Sequence, residues 1–296
     1  MSSRLPVIVL LGASILWGLS WLPLKTINGM GIDGIALTLG AYGILALTLT
    51  PLLLKQASIW REHKKAMGLI FVLGGGANLA FTYALINGEV IRVMVLFYLL
   101  PVWGVLGGKF FLKEEIDRWR WLGVGLAISG AFLILGGFDA LGGAPSWIDL
   151  IALFSGLFFA MNNLVFRAAQ AVPVASKITA MFYGCFTLAA ILIAGNVEPI
   201  PGHVSTDTWF ALALYALIWL LAANIGSQWG VTHMEAGRSS IIIIMELITA
   251  VISATIIAGE TMSPVEILGG LLILTAAFIE ALRTKDDDVP AVETTI

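Results

Sequence analysis

Charge is scarce in this chain. Of 296 residues only 12% are Asp, Glu, Lys or Arg, about half the share of a soluble domain. The 16 basic residues do not outnumber the 19 acidic ones, so there is no cationic surplus for a nucleic acid to neutralise. One cysteine, Cys185, excludes an internal disulfide, and three histidines leave no zinc or haem cluster. No cofactor is expected. No Walker sequence is present, so this chain does not hydrolyse ATP. What is abundant is apolar: 59% of the residues are hydrophobic and the mean hydropathy is +0.96. No soluble core could bury that much, and the composition reads as an integral membrane protein in contact with the lipid bilayer.

A spanning helix needs about 20 mostly apolar residues. Such stretches fall near 6–26, 33–54, 67–86, 90–111, 119–138, 148–168, 176–196, 209–233, 237–258 and 265–283. They are continuous rather than alternating, so the expected fold is all-α, with ten transmembrane helices and no barrel. The first stretch follows Arg4 but precedes no small-residue cleavage site, so it is expected to be retained. With a cytoplasmic N-terminus, one side of the membrane carries Arg4, Lys55, Arg61, Lys64, Lys65, Lys109, Lys113, Arg118, Arg120, Arg167, Lys177, Arg238, Arg283 and Lys285. The other carries only Lys25 and Arg92. That asymmetry places both termini in the cytoplasm. The loops are too short for a catalytic domain, and no motif joins His233 to Cys185, so no enzyme is expected.

The chain also matches itself at an offset of 146. Ala77-Asn78 falls on Ala223-Asn224, Glu89 on Glu235, Arg92 on Arg238, Glu114 on Glu260 and Leu122-Gly123 on Leu268-Gly269. Two repeats follow, at 1–140 and 141–285, with a tail at 286–296. Five spans is an odd number, so the second half is expected to sit upside down relative to the first, the inverted arrangement of many secondary transporters. Each Glu-x-x-Arg pair (Glu89 with Arg92, Glu235 with Arg238) then joins two spans at opposite faces of the membrane. Each could latch one entrance, or be no more than a surface ion pair.

Polar groups inside a bilayer are costly and mark function by default. Glu246, after Ile241-Ile242-Ile243-Ile244-Met245, is the one acid well inside a span. It could bind a substrate ammonium, carry a proton, or hydrogen-bond between helices. Trp17 and Trp21 share a face of span 1, and Tyr83, Tyr98 and Trp229 add rings in spans 3, 4 and 8 that could stack on an aromatic or apolar substrate. Asn78 with Thr82, its repeat mate Asn224 with Gln228, and Asn162 supply amides and a hydroxyl for a substrate's polar groups or for helix pairing. Pro23, Pro101 and the run Gly74-Gly75-Gly76 are expected to interrupt spans 1, 4 and 3, with Pro101 as a hinge.

Trp17-Gly18, Asn78, Pro101, Glu114 and the glycines 123, 125 and 130 resemble the drug/metabolite transporter superfamily of EamA type, as does the five-plus-five layout. The resemblance covers nearly the whole chain. It implies an export carrier of the bacterial inner membrane, with spans 1, 3, 4, 6, 8 and 9 around a central cavity and spans 5 and 10 outside it. Within the superfamily the chain is most similar to aromatic amino-acid exporters. The expected function is therefore export of amino acids, aromatic or other neutral ones, by alternating access, with a monomer as the expected unit. A multidrug or lipophilic-cation exporter is the alternative. No Lys or Arg stands at mid-depth to clamp a phosphate, and span 1 lacks the carboxylate of small drug–proton antiporters.

Overall fold

A computed structural model describes residues 5–107, 109–110, 117–135, 146–199, 201–233 and 236–283. Among them there is helix and no strand. The helices are α1 (Leu5–Gly18), α2 (Trp21–Gly29), α3 (Gly34–Lys55), α4 (Ala57–Glu62), α5 (Lys64–Asn87), α6 (Val90–Phe97) and α7 (Leu100–Gly107). They continue with α8 (Arg118–Ile134), α9 (Trp147–Ala168), α10 (Val174–Ala194), α11 (Thr206–Leu214), α12 (Leu221–Thr232), α13 (Ala236–Ser253) and α14 (Pro264–Arg283). Among the described residues, seven stretches are long and apolar enough to cross a membrane: Leu5–Gly29, Gly34–Lys55, Lys64–Asn87, Val90–Gly107, Trp147–Phe166, Val174–Ala194 and Thr206–Gly230. Three shorter apolar helices, Trp121–Ile134, Ile242–Ala258 and Pro264–Ile279, stand where spans 5, 9 and 10 are expected. Glu114, Glu235 and the tail 286–296 lie outside the described residues, as do the side chains of Pro101 and Arg238.

The bundle wears its apolar residues on the outside as well as within. Leu47 and Ile256 are each 76% exposed and Ile218 63%. In water such a surface would aggregate, whereas in lipid it is the ordinary solvent-facing one.

Inside, helices approach through glycine. α5 lies along α9 and α10, and at its crossing with α10 a Cβ on Gly184 would stand 1.9 Å from the Phe71 carbonyl oxygen. A Cβ on Gly75 would stand 2.4 Å from the Gly184 carbonyl carbon. The neighbouring glycines do the same work, Gly74 against Asn162 and Met181, Gly76 against Phe158. The glycine run therefore does not interrupt span 3, as its composition suggests. α5 continues unbroken from Lys64 to Asn87, because packing on two neighbours outweighs the intrinsic cost of about 1 kcal/mol per helical glycine. α8 and α14 cross in the same way, with Gly130 and Gly269 each closed off by the other's carbonyl oxygen. Gly184→Leu should force α5 and α10 apart and cost about 3 kcal/mol, read as a fall in Tm of the purified chain in detergent. An unchanged Tm would refute this packing.

Among the described residues, irregular backbone interrupts the spans at four places, besides the π residues 109–110. The first span breaks at Leu19–Ser20, three residues before Pro23, and the fourth at Tyr98–Leu99, just before Pro101. A proline has no amide hydrogen, so each leaves the carbonyl four residues back without its helical donor. In the fourth span that carbonyl belongs to Phe97, and a Cβ on Gly156 of α9 would lie 2.6 Å from it. Between α11 and α12, Tyr215–Leu220 widens to a π-turn, and Ala254–Ala258 does so after α13. Such bulges accompany functional sites more often than chance.

Candidate functional site

α1 and α13 link the four irregular segments. α1 packs against α12 and α13, and α13 also against α6. Gly18, at the end of α1, lets that helix come so close that a Cβ there would stand 2.5 Å from the Glu246 carbonyl oxygen and 2.7 Å from the Thr249 Cβ. One turn on, the Trp21 indole Nε1 donates to the Ser253 hydroxyl at 3.0 Å. From the π-turn before α12, the Trp219 Nε1 donates to the Leu16 carbonyl at 3.0 Å, beside the Ser20 hydroxyl at 3.3 Å. At the break of the fourth span, the Tyr98 hydroxyl donates to the Ile243 carbonyl at 3.0 Å.

The Glu246 carboxyl lies beside that hydroxyl. A phenol has one hydrogen. With it on Ile243, a second bond requires the carboxyl to supply a proton; otherwise the hydroxyl must turn towards the carboxylate. Glu246 is half-buried among the helices. Trp17 is half-buried on the same segment and packs against the core. Glu246 and Tyr98 thus stand together on α13 and the fourth span, and Trp17 and Trp21 flank the point where the first span crosses α13. These groups have the chemistry to hold an amine next to an apolar or aromatic group.

The amides are placed differently. Asn78 donates from Nδ2 to the Gly74 carbonyl at 2.8 Å and accepts the Tyr42 hydroxyl at 2.7 Å. Thr82 is buried next to the same Tyr42 hydroxyl, and Tyr83 is half-buried. Asn224 repeats the self-bond, donating to Leu220 at 2.8 Å, so the repeat mates share a geometry as well as an identity. Asn162 is 1% exposed and its Oδ1 has no partner. Gln228 and Trp229 are half-buried, and Trp229 stacks on His233 with ring centroids 4.3 Å apart. In this conformation Asn78, Thr82 and Asn162 serve the seams among α3, α5 and α9.

At the end of the bundle bearing the turns 30–33, 88–89, 195–199, 201–205 and 259–263, carboxylates dominate. Arg92 makes no ion pair with Glu89, which is exposed. Its guanidinium forks onto Asp149 at 2.7 and 2.9 Å and reaches Glu266 at 3.8 Å. Both partners close capping boxes. Asp149 accepts from the Ser146 amide at 3.0 Å, and Glu266 from the Ser263 amide at 2.8 Å. The Glu260 carboxylate accepts from the amides of Val90 and Ile91 at 2.8 and 2.9 Å. Glu198 accepts from the Ile35 amide at 2.6 Å. Burial pushes the Glu198 carboxyl above its ordinary range, against the pull of the Ile35 and Ala36 amides. Between the turns lies a pocket of 300 Å³ lined by Glu89, Arg92, Val95, Glu260 and Glu266 among others.

Sequence reasoning missed Asp149, Glu266, Trp219, Ser253 and Tyr42. A signal existed for the first two, since Ser146-x-x-Asp149 and Ser263-x-x-Glu266 are capping-box sequences.

A bundle of apolar helices with broken spans around a carboxyl defines a polytopic membrane protein. The sequence pattern of the EamA-like transporter family matches residues 4–136 and again 146–281. The chain belongs to that family of membrane transporters. Among its relatives, Protein RarD of Salmonella typhimurium is 28% identical over 75% of this chain and 74% of its own length. RarD of Escherichia coli is 26% identical over 69% of each chain. An uncharacterised transporter of Pseudomonas aeruginosa is 26% identical over 71% of this chain and 61% of its own. A solved crystal structure of a protein 16% identical superposes with a TM-score of 0.63, covering 96% of this chain and 99% of that one, and shows the fold alone.

Proposed function

We propose that the chain is a ten-span secondary carrier of the bacterial inner membrane that exports amino acids, aromatic or other neutral ones, by alternating access. Its termini are cytoplasmic and its five-span halves are inverted. α8, α13 and α14, with their flanking residues, count as spans 5, 9 and 10. The observation that carries this reading is the place of Glu246: a carboxyl in the span α13 beside Tyr98, where the fourth span is broken, and level with Gly18, where the first span breaks. The carboxylate holds the substrate ammonium, Trp17, Trp21 and Tyr98 border its side chain, and the breaks allow the halves to rock. Glu246 and Tyr98 can also pass a proton between them, which suits proton exchange as well as facilitated diffusion. Arg92 closes the periplasmic entrance through Asp149, and Arg238 is its counterpart at the other.

A second reading keeps the architecture and changes the cargo. A groove of 590 Å³ between α5 and α9 is lined almost wholly by apolar side chains, Leu69, Leu73, Met161 and Leu164 among them. It would suit a lipophilic cation arriving from the bilayer. Uptake into proteoliposomes decides between the two. Saturable uptake of labelled tryptophan, competed by other neutral amino acids, supports the first. Movement of apolar cations without tryptophan replaces it with the second.

A further inference from the structure

Among the described residues, every charge-assisted bond that crosses between the two halves at this end has the same sense. The donors, Ile35, Val90, Ile91 and Arg92, belong to residues 1–140, and the carboxylates of Glu198, Glu260, Asp149 and Glu266 to residues 141–285. Glu260 differs from the rest in what it grips. It takes no cation as its hydrogen-bond partner; its two oxygens accept the first amides of α6, which the helix itself leaves unpaired and where its positive end lies. The chain delivers it there by design of the local backbone. The π-turn ends at Gly259, whose φ of +70° is left-handed, and the Glu260 amide closes back on the Ala254 carbonyl at 3.2 Å. One rigid corner on the second half therefore holds the start of the broken span of the first.

We propose that Glu260 is a gating residue: its carboxylate clamps the N-terminus of α6, holds this entrance shut, and must release Val90 and Ile91 before substrate can leave. The inference rests on the alternating-access reading above and adds a residue to it. The bonds of Ile35, Arg92 and Glu260 all tie residues 1–140 to residues 141–285 at this one end of the bundle, so they open together when that end opens. Losing the clamp then weakens the closed state as a whole and does not merely fray one helix end.

Amide hydrogen exchange of the full chain in lipid nanodiscs tests this without any substrate. In Glu260→Gln, which replaces one acceptor oxygen by a donating amide NH2 group, segments 33–36, 88–92 and 146–150 should all exchange about tenfold faster, the worth of about one charge-assisted hydrogen bond. The crossing of α5 with α10 should keep wild-type rates. Faster exchange at 88–92 alone, with 33–36 and 146–150 unchanged, would overturn the clamp and leave an ordinary helix cap. Should the Gln variant fail to fold, Glu260→Ala is read by the same two criteria. If the three segments open together but no amino acid is transported, the substrate reading fails and the clamp stands. If tryptophan is transported and only 88–92 opens, the reverse holds.

Discussion

Arg92→Ala is expected to destabilise the folded chain by about 3 kcal/mol, near the lower end of what removing one partner of a buried pair costs. Asp149 is 2% exposed, whereas Arg92 keeps a wetter side chain. Without the guanidinium, the carboxylate retains the Ser146 amide, at 3.0 Å, and loses both charged donors. Its remaining charge is then buried without compensation, which is the expensive part of the change. Arg92→Lys should fall between, since an ammonium restores the charge but not the two parallel bonds. Asp149→Asn should cost less than Arg92→Ala, because it removes the buried charge and keeps an oxygen for Ser146. Thermal unfolding in detergent, followed by tryptophan fluorescence, measures all three. A loss for Arg92→Ala below about 0.5 kcal/mol would mean that the fork contributes no more than an exposed pair.

Glu246→Gln is expected to lower transport efficiency by about one to two orders of magnitude while the protein folds normally. The estimate is that of one hydrogen bond to a charged group, about 1.5–3 kcal/mol. The carboxyl is placed by α13, whose backbone is pinned at this level by Gly18 and by the Tyr98 bond to Ile243, so the amide should occupy the same space. Tyr98→Phe should cost less than tenfold, because the hydroxyl beside the carboxyl carries no charge. If transport is driven by a pH gradient, Glu246→Gln should also abolish the gradient's effect. If it is not, the mutant should lose affinity for the ammonium and show no change with the gradient. Wild-type kcat/KM in Glu246→Gln would remove this residue from the site.

The positions of the helices were legible because lipid solvation imposes one requirement on every spanning segment. Stretches expected at 33–54, 67–86 and 176–196 appear as Gly34–Lys55, Lys64–Asn87 and Val174–Ala194. Short-range backbone chemistry was legible too, since both proline breaks fall just before Pro23 and Pro101. What depended on neighbours distant in the chain was not. The glycines of α5 read as a weakness until Gly184 and Phe158 stand against them. Arg92 suggested Glu89, three residues away, and found Asp149, 57 residues on. Local spacing ranks a partner by sequence distance, while the bundle ranks it by which helix ends share a face of the membrane. The asparagines show the same limit, for a buried amide suits a substrate or the Tyr42 hydroxyl equally well on paper.

The central claim, alternating access to amino acids, is tested most directly by counterflow. Proteoliposomes holding the purified chain are loaded with unlabelled tryptophan and diluted into a trace of labelled tryptophan. An alternating carrier returns loaded, so labelled tryptophan should accumulate transiently above its equilibrium level, and Glu246→Gln should remove the overshoot. Uptake that rises only to equilibrium, at the same rate with and without internal tryptophan, would contradict the account.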